Sequence, residues 1–370
     1  MTMRFEQILA EGIAQCSYLL GDTGSGTAAV VDPRPDCEIY IERAKALGLT
    51  ITHVFETHIH ADFLSGAREL VARLDGAPEL RVSVEGGAEY DFAHRGIRDG
   101  DRFDFGALTL EVRHTPGHTP EHVSFLLYEN GNEDPWSVLS GDSFFVDSVG
   151  RPDLLGDDKT EELTEALFRT TQDFYMKLPD GVIVYPCHGA GSACGPDIGD
   201  RMSTTIAYEK AHNKYVQITD LEDFKQEMTN DAPPVPTHYP RLKKVNAAGP
   251  DVMHGLPRCI GKTPDAFEAL LNDGGVQLVD VRDMLAFGGG FISGAINIGL
   301  QPRAFGLGRL AARPRDAHRA RDRERRTGGR GRANALARRL HTLCRLSCRG
   351  NRRVASRRAS ARAHPPDDRA

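Results

Sequence analysis

Apolar residues in the amino-terminal half of the chain fall into short blocks separated by clusters of Gly, Pro, Asp and Ser, the pattern of an α/β protein rather than a helical bundle. Residues 13–20 (IAQCSYLL) and 27–33 (TAAVVDP) predict two strands joined as a hairpin by the turn-rich GDTGSG. Residues 37–50 carry apolar positions at helical spacing, ITHVFET at 51–57 predicts a strand, and HIHADFLSGARELVARL at 58–74 reads as a loop running into a second helix. Five further strands (RVSVEG, RFDFG, LTLEVRHT, HVSFLLYE and WSVLSGD) lead to an amphipathic helix over 161–178, a buried strand at 181–186 and helical patterns over 201–217 and 220–228. Two sheets covered by helices, an αβ/βα sandwich, accommodate this order. Residues 231–250 are Pro-rich and weakly periodic and read as a linker, so the expected division is a catalytic domain 1–240, a linker with a partial second α/β domain 241–302, and a tail 303–370.

Composition changes the picture mainly in that tail. At 370 residues and 40% apolar the chain has room for two ordinary domains. Glu6 and Glu11 interrupt what would have to be a leader core, and no eighteen apolar residues run together, so a cytoplasmic protein without a membrane partner is expected. Seven scattered cysteines without a C-x-x-C pair predict reduced thiols. Residues 303–370 hold 21 Arg, no Lys and 5 acidic residues, a balance of +16 that leaves −22 for the remainder of a chain of net −6. A basic nucleic-acid arm is one reading. Selection for phosphate contact tends to recruit Lys as well, whereas a GC-rich gene read out of register yields this Arg and Ala bias. A frameshift near residue 303 is therefore the preferred expectation, and a nucleic-acid partner is disfavoured.

The candidate chemistry sits where four strands end. Directly after ITHVFET come His58, His60 and Asp62, at every second position; TPGHT supplies His118, LSGD supplies Asp142, and YPCHG supplies Tyr185 and His188. Imidazoles and carboxylates delivered to one sheet edge can converge on a single ion. In this order the segments resemble the metallo-β-lactamase superfamily, from the strand pair before Asp32 to about residue 216. Two-zinc hydrolases of that superfamily carry H-x-H-x-D-H, and here Phe63 stands at the last position, where it cannot bind metal. The variant H-x-H-A-D-F resembles the persulfide dioxygenase (ETHE-like) branch. That resemblance implies one Fe(II) per chain held by His58, His118 and Asp142, with His60 and Asp62 orienting the ligands and His188 closing a polar wall. A ligand role for His60 or His188 stays open.

The run SFFVDSVGRPDL that follows Asp142 matches a family segment ending in G-R-x-D. Arg151 can grip a carboxylate of glutathione or be braced by Asp153, and both roles stay open. Tyr185 matches a family Tyr near the metal, although tyrosines at strand ends also merely pack. Cys187 and Cys194 flank HGAGSA and read as structural. Residues 259–299 resemble the first half of a rhodanese domain, with VQLVDVR as its strand, and the match ends there. Cys344 and Cys348 each have an Arg five positions on, but in so Arg-rich a tail this spacing carries little weight, and sulfur transfer by the chain as written is not expected.

The resulting expectation is a glutathione persulfide dioxygenase that uses O2 and yields sulfite and glutathione. Its rivals are a zinc thioester hydrolase of the glyoxalase II kind, and a sulfur-carrier or nucleic-acid-binding protein acting through the tail. The oligomeric state, a homo-oligomer included, is left open.

Overall fold

The computed structural model describes residues 2–299 except 11, 130, 231–233 and 256–259. Two compact units divide the chain, Met1–Leu256 and Pro257–Ala370. The Arg-rich tail 303–370, the frameshift reading and Cys259, Cys344 and Cys348 lie outside the described residues.

The first unit is built on two six-stranded sheets. One has the order β1 (Met3–Ala10), β2 (Gln15–Asp22), β3 (Thr27–Val31), β4 (Thr50–Phe55), β5 (Glu79–Ser83), β6 (Arg95–Ile97). It is antiparallel through the hairpin and parallel from β3 onward, where helices α1 (Glu38–Ala46) and α2 (Ala67–Arg73) make the crossovers. The other sheet places β7 (Arg102–Phe105), β8 (Leu108–His114), β9 (Val123–Glu129) and β10 (Ser137–Gly141) beside β11 (Ile183–Pro186) and the short β12 (Thr204–Thr205). Helix α3 (Asp157–Arg169) provides the crossover between the parallel neighbours β10 and β11.

Alternation along the strands sorts side chains between layers. Leu20, Ala29, Val31 and Phe55 face Leu110, Val112, Phe125 and Leu139 between the sheets. Leu19, Ala28, Val30 and Val54 turn the other way, onto Tyr40, Ala44 and Leu70 of α1 and α2. On the far side, Leu126, Val138 and Val184 pack with Leu167 of α3 and with Tyr215 and Phe224. The layers are the expected αβ/βα sandwich.

Three stretches depart from the sequence expectation. Strand β1 was not among the expected strands because it is an edge strand, mostly half-buried and interrupted by polar residues. The single helix expected over 201–217 is divided into α4 (Ile206–His212) and α5 (Lys214–Gln217), since Asn213 leaves helical geometry and its side chain caps the second piece through the Tyr215 amide. After α6 (Leu221–Asn230), the stretch read as a linker contains α7 (Tyr239–Ala248), which belongs to the first unit beyond the boundary expected at residue 240. Its inward face is Tyr239 and Asn246, too polar to register as an apolar stripe. Buried Glu69 of α2 then accepts the Met253, His254 and Gly255 amides, at 2.6 to 3.1 Å, and fixes the end of the unit.

In the second unit the described residues form α8 (Pro264–Asn272), β13 (Val279–Asp280), α9 (Met284–Gly288) and β14 (Ile296–Asn297), with β13 and β14 parallel. Thr263 caps α8 and Asp283 caps α9, and Arg282 forks onto Asp280. Among the described residues no helix is long and apolar enough to cross a membrane.

Candidate metal centre

Strands β4, β8, β10 and β11 end on one edge of the sandwich, and the loops leaving them carry every sequence-predicted metal-site residue. Thr57 accepts the Val123 amide at 2.8 Å and ties the two sheets together at this edge. Gly141 has φ of 54°, a conformation that favours glycine, and a Cβ there would drive into the His122 ring. Asp142 is thereby delivered directly beneath His58 and His118.

Those three residues form one buried cluster whose candidate donor atoms lie within 4.8 Å of one another. Asp142 Oδ2 is 3.7 Å from His58 Nε2 and 3.6 Å from His118 Nε2. Neither His58 Nε2 nor Asp142 Oδ2 has a hydrogen-bond partner. Surrounding groups decide which nitrogen of each ring carries the proton. Thr57 donates its hydroxyl to Asp32 Oδ2 at 3.0 Å, so it can only accept from His58 Nδ1, 2.9 Å away. His118 Nδ1 faces the Arg151 carbonyl at 3.0 Å, which also only accepts. Both imidazoles therefore turn an unprotonated Nε2 toward the centre. Burial, reinforced by neighbouring positive charge, holds His58 well below the ordinary histidine range, and burial also lowers His118. Two neutral imidazoles and a carboxylate with unused lone pairs fit a divalent transition metal, whose bonds to such donors are about 2.0 to 2.2 Å long.

The remaining polar residues form a shell. His188 lies between two carboxylates, with Nδ1 2.7 Å from Asp142 Oδ1 and Nε2 2.7 Å from Asp62 Oδ2. Burial opposes its charge, but the two carboxylates outweigh it and raise His188 well above the ordinary range. His60 is held in the same way, against burial, by Asp32 at 3.1 Å and Glu56 at 2.8 Å. The ring of Phe63 lies 4.4 Å from that of His60 and 6.4 Å from that of His188, an apolar wall within the polar cluster. Cys194 comes within ligand reach of Asp62 and His188 and lies 3.6 Å from Tyr239 Oη. Burial, then the Asp142 and Asp62 charges, push its thiol up to about 12.

Two sequence-predicted site residues are placed differently. The ring of Tyr185 packs among Phe5, Tyr18 and Trp136, with ring centroids 4.4 to 6.0 Å apart, and makes no hydrogen bond into the cluster. It is a sandwich residue, because alternation along β11 turns it away from the site loop. Arg151 is fully buried. Its Nε and Nη2 donate to the two Asp153 oxygens at 2.7 Å, and Nη1 donates to the Ala193 carbonyl at 3.1 Å. The fork offered for glutathione is already filled, so bracing is the role this geometry supports.

Several contributors were not singled out from the sequence. Asp32, at φ of 52°, receives the Thr57 amide at 2.7 Å as well as the Thr57 hydroxyl and His60. His122 accepts the Asp142 amide at 3.0 Å. Glu121 takes the Ile59 amide at 3.1 Å. Asn246 of α7 donates to the carbonyls of His60 and Phe63, at 2.7 and 2.8 Å, and accepts from the Ser65 amide. A buried Asp closing an apolar strand in VVDP, and a His four positions after His118, were the available signals. Asn246 had none.

The metallo-β-lactamase superfamily model matches residues 12–188, a span that contains every member of the candidate trio. A solved metallo-β-lactamase from Staphylococcus aureus is 32% identical, with a TM-score of 0.75 over 85% of this chain and 89% of its own. The chain belongs to the metallo-β-lactamase superfamily. A second solved relative within that superfamily is ETHE1 from Myxococcus xanthus, 31% identical with a TM-score of 0.57 over 66% of this chain and 99% of that one. The mitochondrial persulfide dioxygenase ETHE1 is 32% identical over 173 residues in Bos taurus and 28% identical over 251 residues in Homo sapiens. Those matches span 63% of the bovine protein and 86% of the human one. Fold and relatives mark this metallo-β-lactamase chain as an enzyme. A rhodanese-like domain follows, and its family model matches residues 263–355, farther along the chain than the sequence resemblance that ended at 299.

Proposed function

We propose that the chain is a glutathione persulfide dioxygenase working at a single Fe(II) held by His58, His118 and Asp142. Glutathione persulfide, O2 and water would give glutathione and sulfite, with release of protons. The observation that carries this reading is the trio itself: two imidazoles with Nε2 turned inward and one carboxylate, with His58 Nε2 and Asp142 Oδ2 lacking any other partner, near a phenyl ring, Phe63, that offers no donor where the two-zinc motif has its last His. The persulfide dioxygenase relatives support the choice of substrate, and the adjoining rhodanese-like domain supports sulfur chemistry by association.

Two imidazoles and one carboxylate leave open positions at which Fe(II), when bound, supplies activation of O2 next to the persulfide sulfur. The chain's own contribution is to fix that arrangement. Asp32 and Thr57 set the His58 tautomer, the Arg151 carbonyl sets that of His118, and His188 steers Asp142 by occupying Oδ1 and leaving Oδ2. Phe63 closes one side of the cluster with a ring that cannot ligate a second cation. We assign Arg151 to bracing the loop that carries the His118 acceptor. The four cysteines among the described residues are buried and free, which suits a reducing, cytoplasmic setting.

One observation favours a second reading. Asp62, His188 and Cys194 lie within ligand reach of one another, and a zinc ion there would complete a two-metal thioester hydrolase. Metal quantification after anaerobic purification separates the two. One equivalent of iron supports the dioxygenase; two equivalents of zinc, lost from one site in Cys194→Ser, support the hydrolase.

A further inference from the structure

Asn246 reaches the metal centre from the last helix of the first unit, and what it meets there is backbone. Its Nδ2 donates to the carbonyls of His60 and Phe63 at 2.7 and 2.8 Å, and its Oδ1 accepts the Ser65 amide at 3.0 Å. Both His60 and Phe63 are buried, and among the described residues no other group donates to either carbonyl. Two acceptors and one donor around a single planar group fix which way the amide is turned. They also fix the residue type: Asp has no donor, Ser offers one, and Gln would need room for a further methylene. The amide itself is anchored at both ends of α7. The Tyr239 hydroxyl lies 3.6 Å from Cys194 Sγ at one end, and at the other the Ala247 carbonyl accepts the Asp91 amide at 3.0 Å and the Pro250 carbonyl accepts from Arg68.

The two carbonyls flank Asp62. Asp62 Oδ2 is 2.7 Å from His188 Nε2, and His188 Nδ1 is 2.7 Å from Asp142 Oδ1, which leaves Asp142 Oδ2 for the trio. A continuous chain of short polar contacts therefore runs from the α7-held loop to a metal ligand. We propose that Asn246 is a positioning residue of the metal centre: by fixing the backbone on both sides of Asp62 it keeps Asp62 on His188, and through His188 it keeps Asp142 Oδ2 aimed at the ion. Without the amide, two buried carbonyls would lack a donor, and the loop would turn those peptides toward water and carry Asp62 with them. The geometry of the site is then completed by a helix that follows the Pro-rich stretch. The inference rests on the trio as a metal site, and not on the identity of the substrate.

The test uses the full-length chain loaded with Co(II) and three readouts: affinity by chelator competition, the visible absorption of the bound ion, and the thermal midpoint of the metal-free protein. Asn246→Asp keeps the shape but sets acceptors against two carbonyls, so it should weaken Co(II) binding by about tenfold or more and alter the spectrum, as should Asn246→Ala. Asn246→Ser keeps one donor and should lose less, and it serves where the other two fail to fold. Gln172→Ala is the matched control, because Gln172 Nε2 also donates to two carbonyls, of Val216 and Ile218 at 2.9 and 3.0 Å, in the helical layer beyond the second sheet. It should lower the midpoint and leave the cobalt readouts alone. A double-mutant cycle tests the route: once Asp62→Asn has broken the chain of contacts, adding Asn246→Ser should cost little further affinity. If the Asn246 variants hold Co(II) within twofold of wild type, with an unchanged spectrum and only a lower midpoint, Asn246 merely docks α7 and the proposal is wrong. Losses that multiply in the double variant would refute it equally. No readout involves oxygen or persulfide, so failure of the dioxygenase reading would leave this result standing.

Discussion

Replacing Asp32 by Asn changes one atom of a residue that never reaches the trio, yet it should reverse a proton position inside it. Asn tolerates the positive φ at this position, so the backbone is preserved. Its amide oxygen can still accept the Thr57 amide, which lies 2.7 Å from Oδ1. At the Oδ2 position, 3.0 Å from Thr57 Oγ1, a donor would replace an acceptor. The Thr57 hydroxyl must then accept from the new side-chain NH2 and donate to His58 Nδ1, which moves the His58 proton to Nε2 and removes the lone pair aimed at the metal. Changes of this kind one step behind a ligand typically cost 10- to 100-fold in metal affinity, about 1.4 to 2.8 kcal/mol. Chelator competition on the purified variant measures it directly. Thr57→Val is the control: it leaves His58 Nδ1 without an acceptor but does not force the proton onto Nε2, so its loss of affinity should be smaller than its loss of thermal stability. Asp32→Asn binding metal within twofold of wild type would refute the tautomer argument.

Phe63→His puts an imidazole beside Asp62 and His188, and zinc loading should rise from one equivalent toward two while oxygen uptake falls; an unchanged stoichiometry means that Phe63 is not what keeps the site mononuclear. Arg151→Met should lower the thermal midpoint and expression far more than it raises KM for the persulfide, because it strips Asp153 and the Ala193 carbonyl of their partner; a tenfold rise in KM with an unaltered midpoint would restore the glutathione-binding role. Tyr185→Phe should keep kcat within about twofold, since only ring packing is involved, and a large loss of kcat would return Tyr185 to the site. Burial holds His58 and His118 below the ordinary histidine range, so protons compete with the metal only below that range; metal should be retained as pH falls through about 6.5, the unperturbed value, and half-release above it would contradict the assignment.

How much of this was legible in the sequence follows from what each residue advertises. His58, His118, Asp142 and His188 sit in short motifs at strand exits, so strand prediction and motif reading together put them on one edge. Phe63 was informative by being the wrong residue for a ligand. Tyr185 was ambiguous because a motif-adjacent position on a strand can face either way, and the register of β11 against β10 is a tertiary property. Arg151 was ambiguous for a related reason: Asp153, two residues on, was a visible partner, but whether the fork stayed open depended on the loop of Ala193, distant in sequence. Helix α7 was unreadable because its buried positions are Tyr and Asn, its start is Pro-rich, and its work is done by hydrogen bonds to a loop more than 180 residues away in sequence. Asp32 hid in plain view, since a strand-ending Asp before Pro is also an ordinary turn signal.

The most direct measurement of the central claim is the ratio of O2 consumed to sulfite formed when the anaerobically iron-loaded chain meets glutathione persulfide. One O2 per sulfite, abolished together with bound iron in His58→Ala, His118→Ala and Asp142→Ala, is the predicted result. No oxygen uptake from a preparation that holds two equivalents of zinc and cleaves a glutathione thioester would contradict it, and would make Asp62, His188 and Cys194 the second metal site of a hydrolase.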